Sequence, residues 1–150
     1  MSTRSGACQC GKCKITASAE PLTVSMCHCQ DCQRRTGSSY SVHGYFPRAC
    51  VTVDGSPSSF SRSGDSGAFV TFHFCPDCGS TVYWEAEASP ERIGIPAGLF
   101  ADPDFPMPTV AIFVPQKHKW VTIPEGVPQN PGHSVAFAAA AAAAVARRGG

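Results

Sequence analysis

The chain has 150 residues and a net charge of +1, the size of one domain with one hydrophobic core. Its lysines and arginines are scattered, with no basic stripe for nucleic acid, and no apolar run is long enough to cross a membrane. No apolar segment follows the short polar stretch 1–7, so no signal peptide is expected.

Short segments of alternating polarity dominate the chain. The stretch Glu20-Pro-Leu-Thr-Val-Ser-Met26 alternates and leads into a cysteine cluster. A helical turn is expected after Cys29, through Asp31 to Arg35, ending near Gly37. Segment 38–46 carries Tyr40, Val42, Gly44 and Phe46 on one parity, and Ser39, Ser41, His43 and Tyr45 on the other. Val51-Thr-Val53, Asp54-Gly55 and Ser58-Ser-Phe-Ser61 read as a hairpin, because Asp-Gly supplies the positive φ of a tight turn. Ser63-Gly-Asp-Ser-Gly67 is a second turn, and the strand-like segment 68–74 runs straight into Cys75. Further strands are expected at 80–85, 92–95 and 109–114, while Pro103, Pro106 and Pro108 exclude helix and central strand from 101–108. Regular short strands broken by Gly and Pro turns predict an all-β domain over 1–134. From Val135 the composition shifts to an alanine run, 135–150. It is expected as a frayed or partly helical tail outside that domain, because so short a helix is marginal without packing.

Nine cysteines are many for this length. A disulfide-stapled secreted domain is one reading, but the number is odd, no export signal is visible, and most cysteines lie two or three residues apart. A bridge within Cys-x-Cys would strain the disulfide torsion. Close-set reduced thiols point instead to metal ligation and to the cytoplasm. Three clusters stand out: Cys8-Gln-Cys10-Gly11-Lys-Cys13, Cys27-His-Cys29-Gln-Asp-Cys32, and Cys75-Pro-Asp-Cys78-Gly79. The third has the pattern of a zinc knuckle, in which a tight turn brings both thiolates to one metal and the glycine lets the chain leave with positive φ. A tetrahedral site then needs two more ligands. Residues i and i+2 of an extended segment share a side, so Cys8 and Cys10 form a second pair and close a four-thiolate site with Cys75 and Cys78.

The second cluster places Cys27, Cys29 and Cys32 within six residues with no obvious fourth cysteine, as in an open zinc site. Cys13, Cys50 or His28 can close it instead. Against this, His28 should point away from its neighbours in an extended segment, and unpaired cysteines such as Cys13 and Cys50 are commonly buried as small hydrophobes. Three thiolates leave zinc with a formal charge of −1, a poor Lewis acid but a site suited to exchanging its fourth ligand for another thiolate. The expected chemistry is a thiol substrate whose C–S bond forms or breaks. Arg34 and Arg35 follow the cluster and can offset its charge, grip substrate carboxylates, or simply be solvated. Candidate proton carriers are His28, Asp31, Tyr40, His43, His73 and His118. Each also has a plain structural reading: His73 as a satisfied sheet histidine, Asp31 as a turn cap. Phe69, Phe72, Phe74, Tyr83 and Trp84 read as core or pocket wall, which periodicity does not separate.

In this order, the motifs Gly6-x-Cys8-x-Cys10-Gly11, Cys27-His28-Cys29-x-x-Cys32 with Gly37, and Phe74-Cys75-x-x-Cys78-Gly79-Ser80 resemble the glutathione-dependent formaldehyde-activating family, which includes centromere-protein-V-like proteins. Gly98-x-Phe100-x-Asp102-Pro103 and His118-x-Trp120 add to the resemblance, which runs from Gly6 to Gly132. Cys13 stands where the family usually has an apolar or small residue, and the alanine tail is not a family feature. The resemblance implies a β-tent fold with zinc-stapled short antiparallel sheets. It also implies two zinc ions per chain, a structural one on Cys8, Cys10, Cys75 and Cys78 and a catalytic one on Cys27, Cys29 and Cys32. The implied activity is that of a carbon–sulfur lyase taking glutathione or a similar thiol adduct. A non-catalytic zinc module for a protein partner is the alternative, and fold alone does not separate them. Thiol redox chemistry is a third.

Overall fold

The computed structural model describes residues 2–149. The chain forms β1 (Arg4–Ala7), β2 (Lys14–Ala17), β3 (Thr23–Cys27), α1 (Gln30–Thr36), β4 (Ser41–Pro47) and β5 (Val51–Asp54). It continues with β6 (Ser58–Ser63), β7 (Phe69–Phe74), β8 (Thr81–Ala86), β9 (Arg92–Pro96), β10 (Val110–Ile112) and α2 (Val135–Gly149). The segment 101–108 carries neither helix nor strand, as its prolines require.

The strands make two sheets, one of three strands in the order β1-β2-β5 and one of seven in the order β10-β3-β4-β9-β8-β7-β6. The fold is thus mostly β. Pairing is antiparallel except for β10 on β3, which are far enough apart in the chain for the long connection that a parallel pair needs. The main core joins the sheets: Ile15 and Ala17 of β2 pack with Phe46, Val82, Ile93 and Ile95 of the larger sheet. Period-two burial is plain in β8, where Val82, Trp84 and Ala86 are buried and their neighbours are not. Trp84 sits opposite Gly94, and a Cβ at 94 would overlap the indole nitrogen. The missing side chain is what gives the indole its place.

Two expectations need correction. The first is the hairpin across Asp54-Gly55. β5 pairs with β2, Val53 opposite Ile15, whereas β6 pairs with β7, Ser58 opposite Phe74. Gly55 does have a positive φ of 105°, but it turns a corner between sheets. A Cβ there would meet the Lys12 carbonyl oxygen at 2.5 Å. Val51 and Val53 pack against the main core, and that burial outweighs the local hairpin preference.

The second concerns the alanine tail, which is a continuous helix of 15 residues. Ser134 caps it, its hydroxyl accepting from the Phe137 N–H at 3.2 Å. Ala141 and Ala144 are buried. Arg148 pairs with Glu87 at 2.6 Å and lies over the Phe69 ring, 4.3 Å from its centroid. Cationic side chains in the last turn also suit the helix dipole. Tertiary packing supplies the stability that an isolated alanine helix lacks.

Candidate metal centres

Four thiols meet where the two sheets come together. Cys8 and Cys10 lie in the turn between β1 and β2, and Cys75 and Cys78 lie in the turn between β7 and β8. Their sulfurs all fall within 4.8 Å of one another, with Cys8–Cys10 at 3.7 Å and Cys10–Cys75 at 3.6 Å. Zinc–sulfur bonds of ~2.3 Å in a tetrahedron set sulfurs about 3.8 Å apart, so the thiol spacing fits one tetrahedral metal. The expected extended geometry at Cys8 and Cys10 is not what brings them together. The chain turns there, with the Gly11 N–H donating to the Cys8 carbonyl at 3.0 Å, much as the Gly79 N–H donates to Cys75 at 2.8 Å. Gly11 and Gly79 both have positive φ, 81° and 76°, so each half of the site is a knuckle. Backbone and hydroxyl donors serve the sulfurs. The Cys13 N–H donates to Cys8 Sγ at 3.2 Å, and the Ser80 hydroxyl beside Cys78 Sγ, with the Ser80 N–H, holds that thiol down to about 5. The Cys13 thiol is buried and outside the group of four.

The second group is Cys27, Cys29 and Cys32, again with sulfurs within 4.8 Å of one another. Cys27 ends β3, Cys29 is the N-cap of α1, and Cys32 lies in its first turn. The helix closes as the sequence suggests, at Gly37 with φ 67°. Cys29 Sγ accepts from the Cys32 N–H at 3.3 Å. The neighbouring Cys27 and Cys32 thiols favour the thiolate at Cys29 and lower its pKa, while the same neighbours and burial raise that of Cys27. Metal binding requires all three to lose their protons. Among the described residues no fourth cysteine, histidine or carboxylate joins them. Cys13 packs in the main core and Cys50 lies in a 3-10 turn after β4. His28 is fully buried beside Tyr40 with neither ring nitrogen partnered, and it too stays outside the group.

These three cysteines line a cavity of about 100 Å³ that opens to solvent. Arg35 reaches it from α1, donating to the Ser41 hydroxyl at 2.9 Å and lying 4.7 Å over the Trp84 ring. Arg34 is exposed and takes no part in the lining. Asp31 pairs with Arg62 at 3.3 Å. Of the candidate proton carriers, only Asp31 and His43 line the cavity. His73 bonds Glu85 at 3.1 Å and stacks on Tyr83, a satisfied sheet histidine. His118 bonds Gln33 at 2.8 Å on an exposed face. Tyr45, Arg62, Phe113, His133 and Phe137 complete the wall without having been expected there. Their one local signal is the left-handed backbone of Phe113, φ 55°, of a kind that collects at functional sites.

His43 is buried, bonded through Nδ1 to the Ser41 hydroxyl at 3.3 Å and edge-on to Trp84. Burial, then the Arg35 charge, pushes its pKa down to about 3, so it is neutral in the fold. In the unfolded chain a histidine takes its proton near pH ~6.5. The unfolded state therefore binds more protons below that pH, and stability falls as pH drops from 6.5 toward 3. Between pH ~6.5 and ~5, urea unfolding should show the native protein losing about 1.5 kcal/mol more than His43→Gln. Parallel pH profiles would contradict this.

The mostly β chain thus carries two groups of thiols, one of four and one of three on a cavity wall, each of which could hold a metal ion. Its sequence from residue 3 to 116 matches the family described as glutathione-dependent formaldehyde-activating enzyme, and the chain belongs to that family. In fold it is similar to a Rhodobacter sphaeroides protein whose crystal structure was solved as a structural genomics target. The two share 17% identity and a TM-score of 0.52, over 84% of this chain and 98% of that one. No curated protein matches the sequence.

Proposed function

We propose that the chain is a zinc-dependent carbon–sulfur lyase of the cytoplasm, acting on glutathione or a related thiol adduct with S-hydroxymethylglutathione-type chemistry. The architecture that goes with this reading is the β-tent. Cys8, Cys10, Cys75 and Cys78 hold a structural zinc, and Cys27, Cys29 and Cys32 hold a catalytic one. The observation that carries the proposal is a group of three thiols, without a fourth protein ligand among the described residues, that opens onto a cavity. Zinc bound there supplies a free position for a substrate sulfur.

The chain's own residues prepare the rest. Arg35 brings positive charge beside a thiolate-rich cluster and is held in place by Ser41 and Trp84. The aromatic wall limits water around the reacting bond. His43, kept neutral, can accept or relay a hydrogen bond without carrying charge into the cavity. In the reaction the C–S bond of R–S–CH2–OH breaks and its electron pair stays on sulfur. The hydroxyl loses its proton as the C=O bond forms, and the thiolate takes up a proton on release. Uncatalysed breakdown is the reference. Zinc-loaded protein should release trapped formaldehyde from S-hydroxymethylglutathione faster than buffer does, lose that rate to a chelator, and regain it with zinc. A rate equal to the buffer blank would overturn the proposal.

A further inference from the structure

The cavity over Cys27, Cys29 and Cys32 is built from two sets of aromatic side chains. One comes from the large sheet: Phe72 and Trp84, with ring centroids 5.6 Å apart. The other comes from the chain after β10, where Phe113 meets His133 at 4.9 Å and His133 meets Phe137 at 4.3 Å. His133 and Phe137 lie beyond the residues that match the family, which end at 116. The same two residues also line a second, open trough beneath α2. They are therefore the partition that closes the cavity on that side. Arg148 fastens the far end of the helix to Glu87, and the buried Ala141 and Ala144 hold its middle.

The charges of the cavity are few. Arg62 is already neutralised by Asp31 at 3.3 Å. Asp65 adds a negative charge to the lining. Arg35 has no acidic partner among the described residues, and its Nε is buried without a hydrogen bond. Besides the thiol group, the cavity thus offers one cation without an acidic partner, held over the Phe72 and Trp84 rings, a carboxylate that repels a second anion, and a broad apolar surface. Glutathione carries two carboxylates, an ammonium and a polar backbone, and it matches this poorly.

Resting on the lyase reading above, we infer that the preferred thiol is one with a flat apolar or aromatic body and a single carboxylate near its sulfur, and that Phe137 is the residue selecting it. Arg35 takes the carboxylate, and the two aromatic sets take the body.

Calorimetry on the full zinc-loaded chain tests this with two probes, 2-mercapto-3-phenylpropanoate and glutathione. The phenyl-bearing thiol should bind at least about 10-fold more tightly, the scale of one or two aromatic contacts. Phe137→Ala should shrink that ratio about 5- to 10-fold by weakening the phenyl-bearing thiol far more than glutathione, and Phe137→Trp should keep it. Phe137 is only partly buried, and unchanged zinc content reports that each variant is folded. Equal affinities, or a ratio that Phe137→Ala leaves intact, would overturn the inference. Formaldehyde release from the hydroxymethyl adducts of both thiols is measured alongside. Release without aryl preference removes this inference alone, whereas aryl preference without release from either adduct removes the lyase reading and leaves the pocket assignment standing.

Discussion

Cys75→Ser should leave the chain without a cooperative native fold, or lower its melting temperature by about 15 °C or more. Cys75 is fully buried and belongs to the core cluster that contains Ile15, Phe46 and Val82. Its sulfur belongs to the group that ties the β1–β2 turn, in the small sheet, to the β7–β8 turn, in the large one. Structural zinc supplies about 10–16 kcal/mol of folding free energy in small zinc domains, against a typical net stability of about 5–15 kcal/mol. Even a fraction of that loss removes most of the margin. Circular dichroism melting with zinc content measured on the same sample checks it. A melting temperature within a few degrees of the native protein would mean that the four-thiol group is dispensable to the fold.

Cys29→Ser should do the opposite, sparing the fold and abolishing the chemistry. Cys29 caps α1 by accepting the Cys32 N–H at 3.3 Å. Serine is among the best N-cap residues and accepts the same bond, so α1 and the cavity walls stay in place. What is lost, on the proposed reading, is a thiolate ligand. Even changes to residues behind a metal's ligands cost ~10–100-fold in affinity or activity, so loss of a ligand should cost at least about 100-fold in kcat/KM. Zinc content should fall to one per chain, and the melting temperature should move by only a few degrees. Rate measurements on the hydroxymethyl adduct check the first expectation and melting checks the last. Native-like activity in Cys29→Ser would remove the three-thiol group from the reaction. The two serine variants together separate a site that holds the molecule from a site that works on a ligand.

How far the sequence carries can be read from particular residues. Segments 68–74 and 80–85 carry local strand signals, and strands form there, at Phe69–Phe74 and Thr81–Ala86. The turn after Cys29 is local too, with its left-handed exit at Gly37 written in residue type. Cysteine spacing likewise leads to the groups of four and three that the fold gathers. Asp54-Gly55 misleads because a positive φ fits a hairpin and a sheet-to-sheet corner equally well. Only the pairing of Val53 with Ile15 decides between them. The alanine tail misleads because its stability comes from Glu87 and Phe69, contacts that no window of the sequence contains. The cavity wall was out of reach for the same reason: Arg62, Phe113 and the pair His133 and Phe137 come from separate parts of the chain and meet only in the fold. His43 sits on the polar parity of its strand and yet is buried, because Ser41 satisfies its ring nitrogen and Trp84 packs on its ring.

The most direct test of the central claim is a native mass spectrum of the zinc-loaded chain, taken with and without a thiol such as glutathione or 2-mercapto-3-phenylpropanoate. Two zinc ions per chain, with thiol adding only to the species that carries the second, is the predicted result. One zinc, or two zincs and no thiol uptake, would contradict an open catalytic site at Cys27, Cys29 and Cys32, and would favour a zinc module that serves a protein partner.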